Sequence, residues 1–164
     1  MIHVTIASLK TADKLLADGA YDALVSIGFD GKEHCELRTG TDCVMDFYDV
    51  TPVSIRHRDR LPTAGDAMEL IAFGRKLWDG ARVLSHCKQG RSRSTAAALI
   101  LYMAHGLTSV EAAGKLFTEF PKSQPNWHLL GIADHLLDTN CLGVCRTHWQ
   151  VKRTRRELKL DIVH

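Results

Sequence analysis

No stretch of this chain is apolar for long enough to cross a membrane. The longest uninterrupted run, Ala96 to Ala104, is about half of what a spanning helix needs. The N-terminus lacks the charged and apolar regions of a secretory signal, so a soluble, cytoplasmic protein is expected. The five cysteines are odd in number and without the regular spacing of a disulfide framework, which suits a reducing compartment. Of the nine histidines none stands in a ligand pattern such as His-Glu-x-x-His, so no metal and no other cofactor is expected. Internal repeats and low-complexity tracts are missing too. What remains is a chain of 164 residues, 45% hydrophobic, long enough for one proper core and too short for two ordinary domains.

The hydrophobic pattern predicts an α/β architecture. Ile2, Val4 and Ile6 alternate and read as a strand, followed by a short helix over Thr11 to Asp18. Ala23 to Ile27 is a second, fully apolar strand, Gly28 to Asp42 a loop, and Cys43 to Ile55 contains at least one further strand. From Pro62 the period becomes helical, with Ala67, Leu70, Ile71, Gly74, Leu77 and Trp78 on one face and Gly80 as the stop. Val83 to Ser85 suits a buried strand, and Ser94 to Ala104 a buried helix ending at Gly106. Thr108 and Glu111 form a capping box for a helix burying Val110, Ala113, Leu116, Phe117 and Phe120, closed by Pro121. A last core helix starts near Pro125 or Asn126 and buries Leu129, Leu130, Ile132, Ala133, Leu136 and Leu137. This order suggests a mainly parallel central sheet flanked by helices.

The chemistry concentrates between the buried strand and the buried helix, in Arg82 to Thr95. A loop from a strand end into a helix N-terminus aims backbone N–H groups and the positive end of the helix dipole at one point, which favours an anion. Cys87 opens the loop and Arg93 closes it, with Lys88, Gln89, Gly90, Arg91 and Ser92 between. Arg93 can offer a planar fork to two phosphate oxygens while the loop amides take the others. Surrounded by those dipoles and by Lys88, Arg91 and Arg93, the Cys87 thiol should ionise below its free value of about 8.5, in the range of roughly 3.5 to 7.5. Gly90 lets the backbone curl, and Ser94 can donate a hydrogen bond to the sulfur when it departs.

His-Cys-x5-Arg-Ser, here His86 to Ser94, resembles the signature of the cysteine-dependent protein tyrosine phosphatases, in particular the small dual-specificity phosphatases. The resemblance covers roughly Ile2 to Leu137 and implies that fold. It also implies a phosphocysteine mechanism without metal, and an upstream Asp as general acid. Asp59, 28 residues before Cys87, lies where the family places its acid loop. Asp66 is the main rival, although it also reads as a first-turn residue of the next helix; Asp46 and Asp49 rank below both. By resemblance His86 lies behind the loop and helps to set the thiol's pKa. The segment Ser123-Gln124-Pro125-Asn126 resembles one whose Asn braces the loop, and Asn126 reads equally well as an ordinary N-cap. Cys141 and Cys145 imitate another phosphatase loop, but neither has an arginine six positions on.

Residues 1–140 are thus expected to form a phosphatase domain and 141–164 a basic extension packed on it or trailing it. From Arg146 to Lys159 the tail carries Arg146, Lys152, Arg153, Arg155, Arg156 and Lys159 against Glu157 alone. It is either a solvated end or a patch for an acidic partner or a lipid headgroup, and there is no firm nucleic-acid signal. The leading expectation is hydrolysis of phosphotyrosine, with phosphoserine and phosphothreonine as further substrates. The loop Cys87 to Ser94 also closely resembles that of phosphatidylglycerophosphate phosphatases, and its extra cations suit lipid or inositol phosphates. A non-catalytic phosphate-binding module is the third reading.

Overall fold

The computed structural model describes residues 1–49 and 60–157. Four strands, β1 (His3–Ser8), β2 (Ala23–Gly28), β3 (Asp42–Asp46) and β4 (Arg82–Cys87), form one parallel sheet in the order β1-β4-β2-β3. Its registers pair Val4 with Val83, Leu24 with Leu84 and Val25 with Cys43. Every residue of β2, and every residue of β4 after Arg82, is buried, as expected of central parallel strands covered on both faces.

Six helices are described: α1 (Leu9–Ala17), α2 (Ala64–Lys76), α3 (Arg93–Ala104), α4 (Ser109–Glu119), α5 (Trp127–Leu137) and α6 (Cys141–Glu157). On one face of the sheet Val25, Ile27 and Val83 pack into the main core with Leu70 of α2, Leu99 of α3, Leu116 of α4 and Leu129 of α5. On the other face Leu24 and Leu84 meet Ala12 and Leu16 of α1 and Cys35. Each such fully buried Leu or Ile contributes roughly 1.5–3 kcal/mol of transfer free energy. α3 runs through the middle and is buried from Arg93 to Met103, which accounts for a sequence that is apolar on all sides. Because α3 is held by the sheet and by α2, α4 and α5, its N-terminus is a fixed point of the molecule.

Several boundaries differ from the pattern in the sequence. α2 stops at Lys76: Leu77 turns extended (φ −70°, ψ 143°), returns its side chain to the core, and leaves Trp78 53% exposed ahead of the turn at Gly80. The capping box of Thr108 and Glu111 is present, but Val110 is 68% exposed and Ala112 is buried in its place. Val110 lies roughly a quarter-turn from the centre of the inner face, given about 100° per residue. On α5, Leu136 is exposed.

The largest addition is α6. Cys141 and Cys145 are fully buried in the main core and have Leu142 and Val144 beside them, a helical spacing masked by the many basic residues that follow. The buried Asp134 joins α5 to α6 by accepting from the N–H groups of Cys141 and Leu142, both at 2.8 Å, and from Thr139 Oγ1 at 2.6 Å. It thereby satisfies two donors that a helix start otherwise leaves open.

Candidate active site

β4 lies between β1 and β2, so the loop that follows it emerges at the centre of the sheet's C-terminal edge, where open α/β sheets place their ligands. Residues 88–92 turn there from Cys87, the last residue of β4, to Arg93, the first of α3. Gly90 adopts φ +66°, and a Cβ on it would come within 2.6 Å of the Ala7 carbonyl, so the curl both needs the left-handed region and presses the loop onto the end of β1.

The loop's carbonyls are drawn outward. Leu9 N donates to Lys88 O (3.3 Å), Gln124 N to Arg91 O (2.8 Å) and Asn126 N to Ser92 O (3.2 Å). Thr95 Oγ1 caps Arg91 O (2.7 Å) and Ser92 O (2.8 Å) from within α3, and Ser85 Oγ donates to Ser94 O (3.1 Å). With its acceptors held outside, the turn is free to direct its N–H groups inward.

The Cys87 thiol sits at the bottom of this turn, buried, with Sγ 3.3 Å from Ser94 Oγ. Burial alone would push its pKa up. Hydrogen bonds from the Ser94 hydroxyl and from the N–H groups of Ser94 and Arg91, together with the charge of Arg93, outweigh burial and hold the thiol below its ordinary value. Three other cysteines go the opposite way. Burial raises Cys35, burial beside Glu69 raises Cys43 to about 12, and the neighbouring Cys145 thiol together with burial raises Cys141.

Arg93 is itself only 4% exposed. Its Nη1 donates to Gly28 O (2.8 Å) and Phe47 O (3.1 Å), and its Nη2 to Glu33 Oε2 (3.1 Å). Among the described residues no acceptor meets its buried Nε. Glu33 is thus a residue of the site that sequence reasoning missed. It also binds Lys88, Nζ to Oε1 at 2.8 Å, so one carboxylate orients both loop cations. Burial works against its charge, but the hydrogen bonds from Lys88 and Arg93 prevail and keep Glu33 below the usual carboxylate range. Glu33 reaches this place through a tight turn closed by Phe29 and Lys32, with Asp30 and Gly31 inside it and Glu33 just after it at positive φ. The glycine was the only local cue, and nothing in the spacing linked this turn to a loop more than fifty residues away.

His86 lies behind the loop, fully buried. Its Nε2 is 2.8 Å from Ser26 Oγ and accepts weakly from Cys35 N (3.5 Å), while Ser26 Oγ continues to His34 Nδ1 (2.7 Å) and His34 Nε2 to Asp46 Oδ1 (3.0 Å). Burial lowers the His86 pKa to about 4, so the ring is neutral at physiological pH.

The remaining predicted residues fall as follows. Asn126 is the N-cap of α5, its Oδ1 accepting from Leu129 N (3.0 Å), and its backbone N–H donates to Ser92 O of the loop. Asp49 accepts from Ser92 Oγ (2.5 Å) and Asn126 Nδ2 (3.1 Å), at the rim of the loop. Asp66 is buried, and both its oxygens are engaged, by the Thr63 capping box and by Arg60 Nη2 at 2.7 Å. Asp59 lies outside the described residues. Gln89 and Arg91 face an open cavity of about 760 Å³ beside the loop. Among the described residues no cluster of His, Cys, Asp and Glu is arranged to hold a metal ion, and no helix is long and apolar enough to cross a membrane.

No family model and no curated protein matches this chain. Solved structures do. The chain is similar to human DUSP28 at 19% identity, with a TM-score of 0.62, over 83% of this chain and 90% of that one. It is similar at 17% identity to PTPMT1 in complex with PI(5)P, with a TM-score of 0.59, again over 83% of this chain and 90% of that one. A third likeness, at 16% identity and a TM-score of 0.57, is to the human tyrosine phosphatase-like serine/threonine/tyrosine-interacting protein, over 81% of this chain and 89% of that one. The α/β fold is therefore that of the small dual-specificity phosphatases.

Proposed function

We propose that this chain is a cysteine-dependent phosphomonoesterase of the dual-specificity type, acting on phosphotyrosine and, through the same site, on phosphoserine and phosphothreonine. One observation carries the reading: a thiol whose pKa is held down, at the base of a loop closed by a buried arginine, with that arginine's Nε directed to no protein acceptor among the described residues. A phosphate bound in the loop supplies such an acceptor.

In this mechanism Arg93, the N–H groups of Lys88 to Ser92 and the α3 dipole bind the dianion and gain strength as charge moves onto the equatorial oxygens. Glu33, itself held by Lys88, positions Arg93. The Cys87 thiolate attacks phosphorus, the S–P bond forms, the P–O ester bond breaks, and the departing oxygen takes the proton of Asp59. Water then attacks the phosphocysteine with Asp59 as base, the S–P bond breaks, inorganic phosphate leaves, and the Ser94 hydroxyl donates to the sulfur as it regains its negative charge. His86 and Asn126 act through the loop.

The lipid or inositol phosphate reading rests on a specific feature, the additional loop cations Lys88 and Arg91, and on the likeness to a structure that holds PI(5)P. The non-catalytic reading is opposed by the presence of Cys87, Arg93 and Ser94 together. The test is hydrolysis of an aryl phosphate with chelator present, comparing wild type, Cys87→Ser and Asp59→Asn across the pH range. The proposal expects Cys87→Ser to be inactive and Asp59→Asn to lose most of its rate together with the basic limb of the profile. Activity in Cys87→Ser refutes it.

A further inference from the structure

The cavity beside the nucleophile loop is walled by α6, and its lining repeats with the helical period. Arg146, Trp149, Gln150 and Arg153, spaced i, i+3, i+4 and i+7, face the cavity on one side, and Gln89 and Arg91 of the loop face it on the other. This stripe is anchored. Trp149 packs edge-on against Phe117 of α4 (5.9 Å between centroids) and stacks on Trp127 at the start of α5 (5.2 Å), over which Arg146 also lies (4.9 Å). Next to it, His148 stacks on Phe117 (4.0 Å) and Lys152 Nζ donates to Pro121 O (2.9 Å). The basic end of the chain, as far as it is described, is therefore in part a fixed wall of the site's entrance.

We propose that this groove binds the acidic flank of a phosphorylated polypeptide whose phosphate occupies the Cys87 loop, an assignment that rests on the function proposed above. Three features select a polypeptide. The cations line a concavity of about 760 Å³, which an extended chain can enter and a flat membrane surface cannot. Its walls alternate arginines with Trp127, Trp149 and Pro125, so the ligand must bring apolar groups as well as negative ones, unlike a polyphosphorylated ring. Finally, the amides of Gln89, Gln124 and Gln150 each offer a donor and an acceptor, which a peptide backbone uses in full and a phosphate ester does not. Among the described lining residues the one carboxylate, Asp49, accepts from Ser92 and Asn126.

The experiment compares a phosphotyrosine peptide flanked by glutamates with its glutamine-flanked counterpart, in wild type and in the Arg146→Glu/Arg153→Glu double variant, with phenyl phosphate as the reference. Both arginines are exposed, and neither belongs to the catalytic loop. Wild type should favour the glutamate peptide in kcat/KM, with a steep decline at high salt. The double variant should lose that preference by roughly tenfold, as expected for reversing two exposed charges, and keep its phenyl phosphate rate. An equal loss on both peptides, a wild type indifferent to the flanks, or a double variant that still prefers glutamate overturns the assignment. So does binding of phosphatidylglycerol vesicles through the same arginines without any preference between the peptides. If no phosphate ester is hydrolysed, the catalytic proposal fails, and the groove is judged separately by tryptophan fluorescence of a Trp78→Phe background titrated with the unphosphorylated glutamate peptide. Saturable quenching that the double variant abolishes upholds the groove, and its absence overturns it.

Discussion

Replacing Glu33 by Gln tests whether the site depends on a residue that lies outside its signature. The substitution keeps the shape and removes the charge that holds Arg93 Nη2 at 3.1 Å and Lys88 Nζ at 2.8 Å. Hydrogen bonds to charged groups are worth about 1.5–3 kcal/mol, and this range applies to the buried Arg93 contact. The Lys88 contact is largely exposed and is discounted to about 0.2–1 kcal/mol. The expected loss is thus about 2–4 kcal/mol, or a fall in Tm of about 5–15 °C for a domain of this size.

The sign with pH follows from the lowered pKa of Glu33. A depressed folded-state value stabilises the protein above the unfolded carboxyl pKa of about 4.3, and that contribution is lost as pH falls through the folded value. Urea denaturation at a series of pH values should show the two proteins furthest apart near neutrality and converging in acid. In kinetics with phenyl phosphate at neutral pH, Arg93 keeps its bonds to Gly28 O and Phe47 O but loses its third fixed point, so kcat/KM should fall by about ten- to hundredfold through misplacement of the fork. A Glu33→Gln protein with wild-type Tm and kcat/KM would refute the positioning role.

Gly90→Ala forces a Cβ into the Ala7 carbonyl at φ +66°, strain of about 1–3 kcal/mol. The loop shifts, and the rate on phenyl phosphate should drop about a hundredfold while far-ultraviolet circular dichroism stays unchanged. Iodoacetate at about pH 6 should alkylate Cys87 first, with protection by inorganic phosphate, because burial raises Cys35 and Cys43, and the Cys145 thiol together with burial raises Cys141; peptide mass mapping that finds another cysteine modified faster contradicts this ordering. Asp134→Ala removes the acceptors at the start of α6 and should cost about 2–4 kcal/mol in urea denaturation.

The loop from Cys87 to Arg93 was legible because its information is local. The strand, Cys87, Gly90, Arg93, Ser94 and the helix after them are consecutive, so spacing alone fixes which groups meet. The cap at Asn126 is a local pattern in the sequence, whereas its backbone contact with Ser92 O is tertiary. Glu33 and the chain of contacts from Asp46 through His34 and Ser26 to His86 depend on sheet order, which places β2 beside β4, and on a turn with positive φ. Neither leaves a periodic trace. α6 was hidden for another reason. Its core contacts are two cysteines and a few partly buried residues, and the basic side chains around them dominate any reading by composition. Trp78 and Val110 mark a further limit, since periodicity says which residues could share a face but not where the neighbouring element ends.

The proposed mechanism requires that the Cys87 sulfur become covalently phosphorylated. Acid-quenching the protein during turnover of an aryl phosphate, with chelator present, and mapping the digest by mass spectrometry tests it directly. The proposed mechanism predicts one added phosphoryl group on the peptide containing Cys87, absent in Cys87→Ser. Turnover without that adduct, persisting in Cys87→Ser, would contradict it.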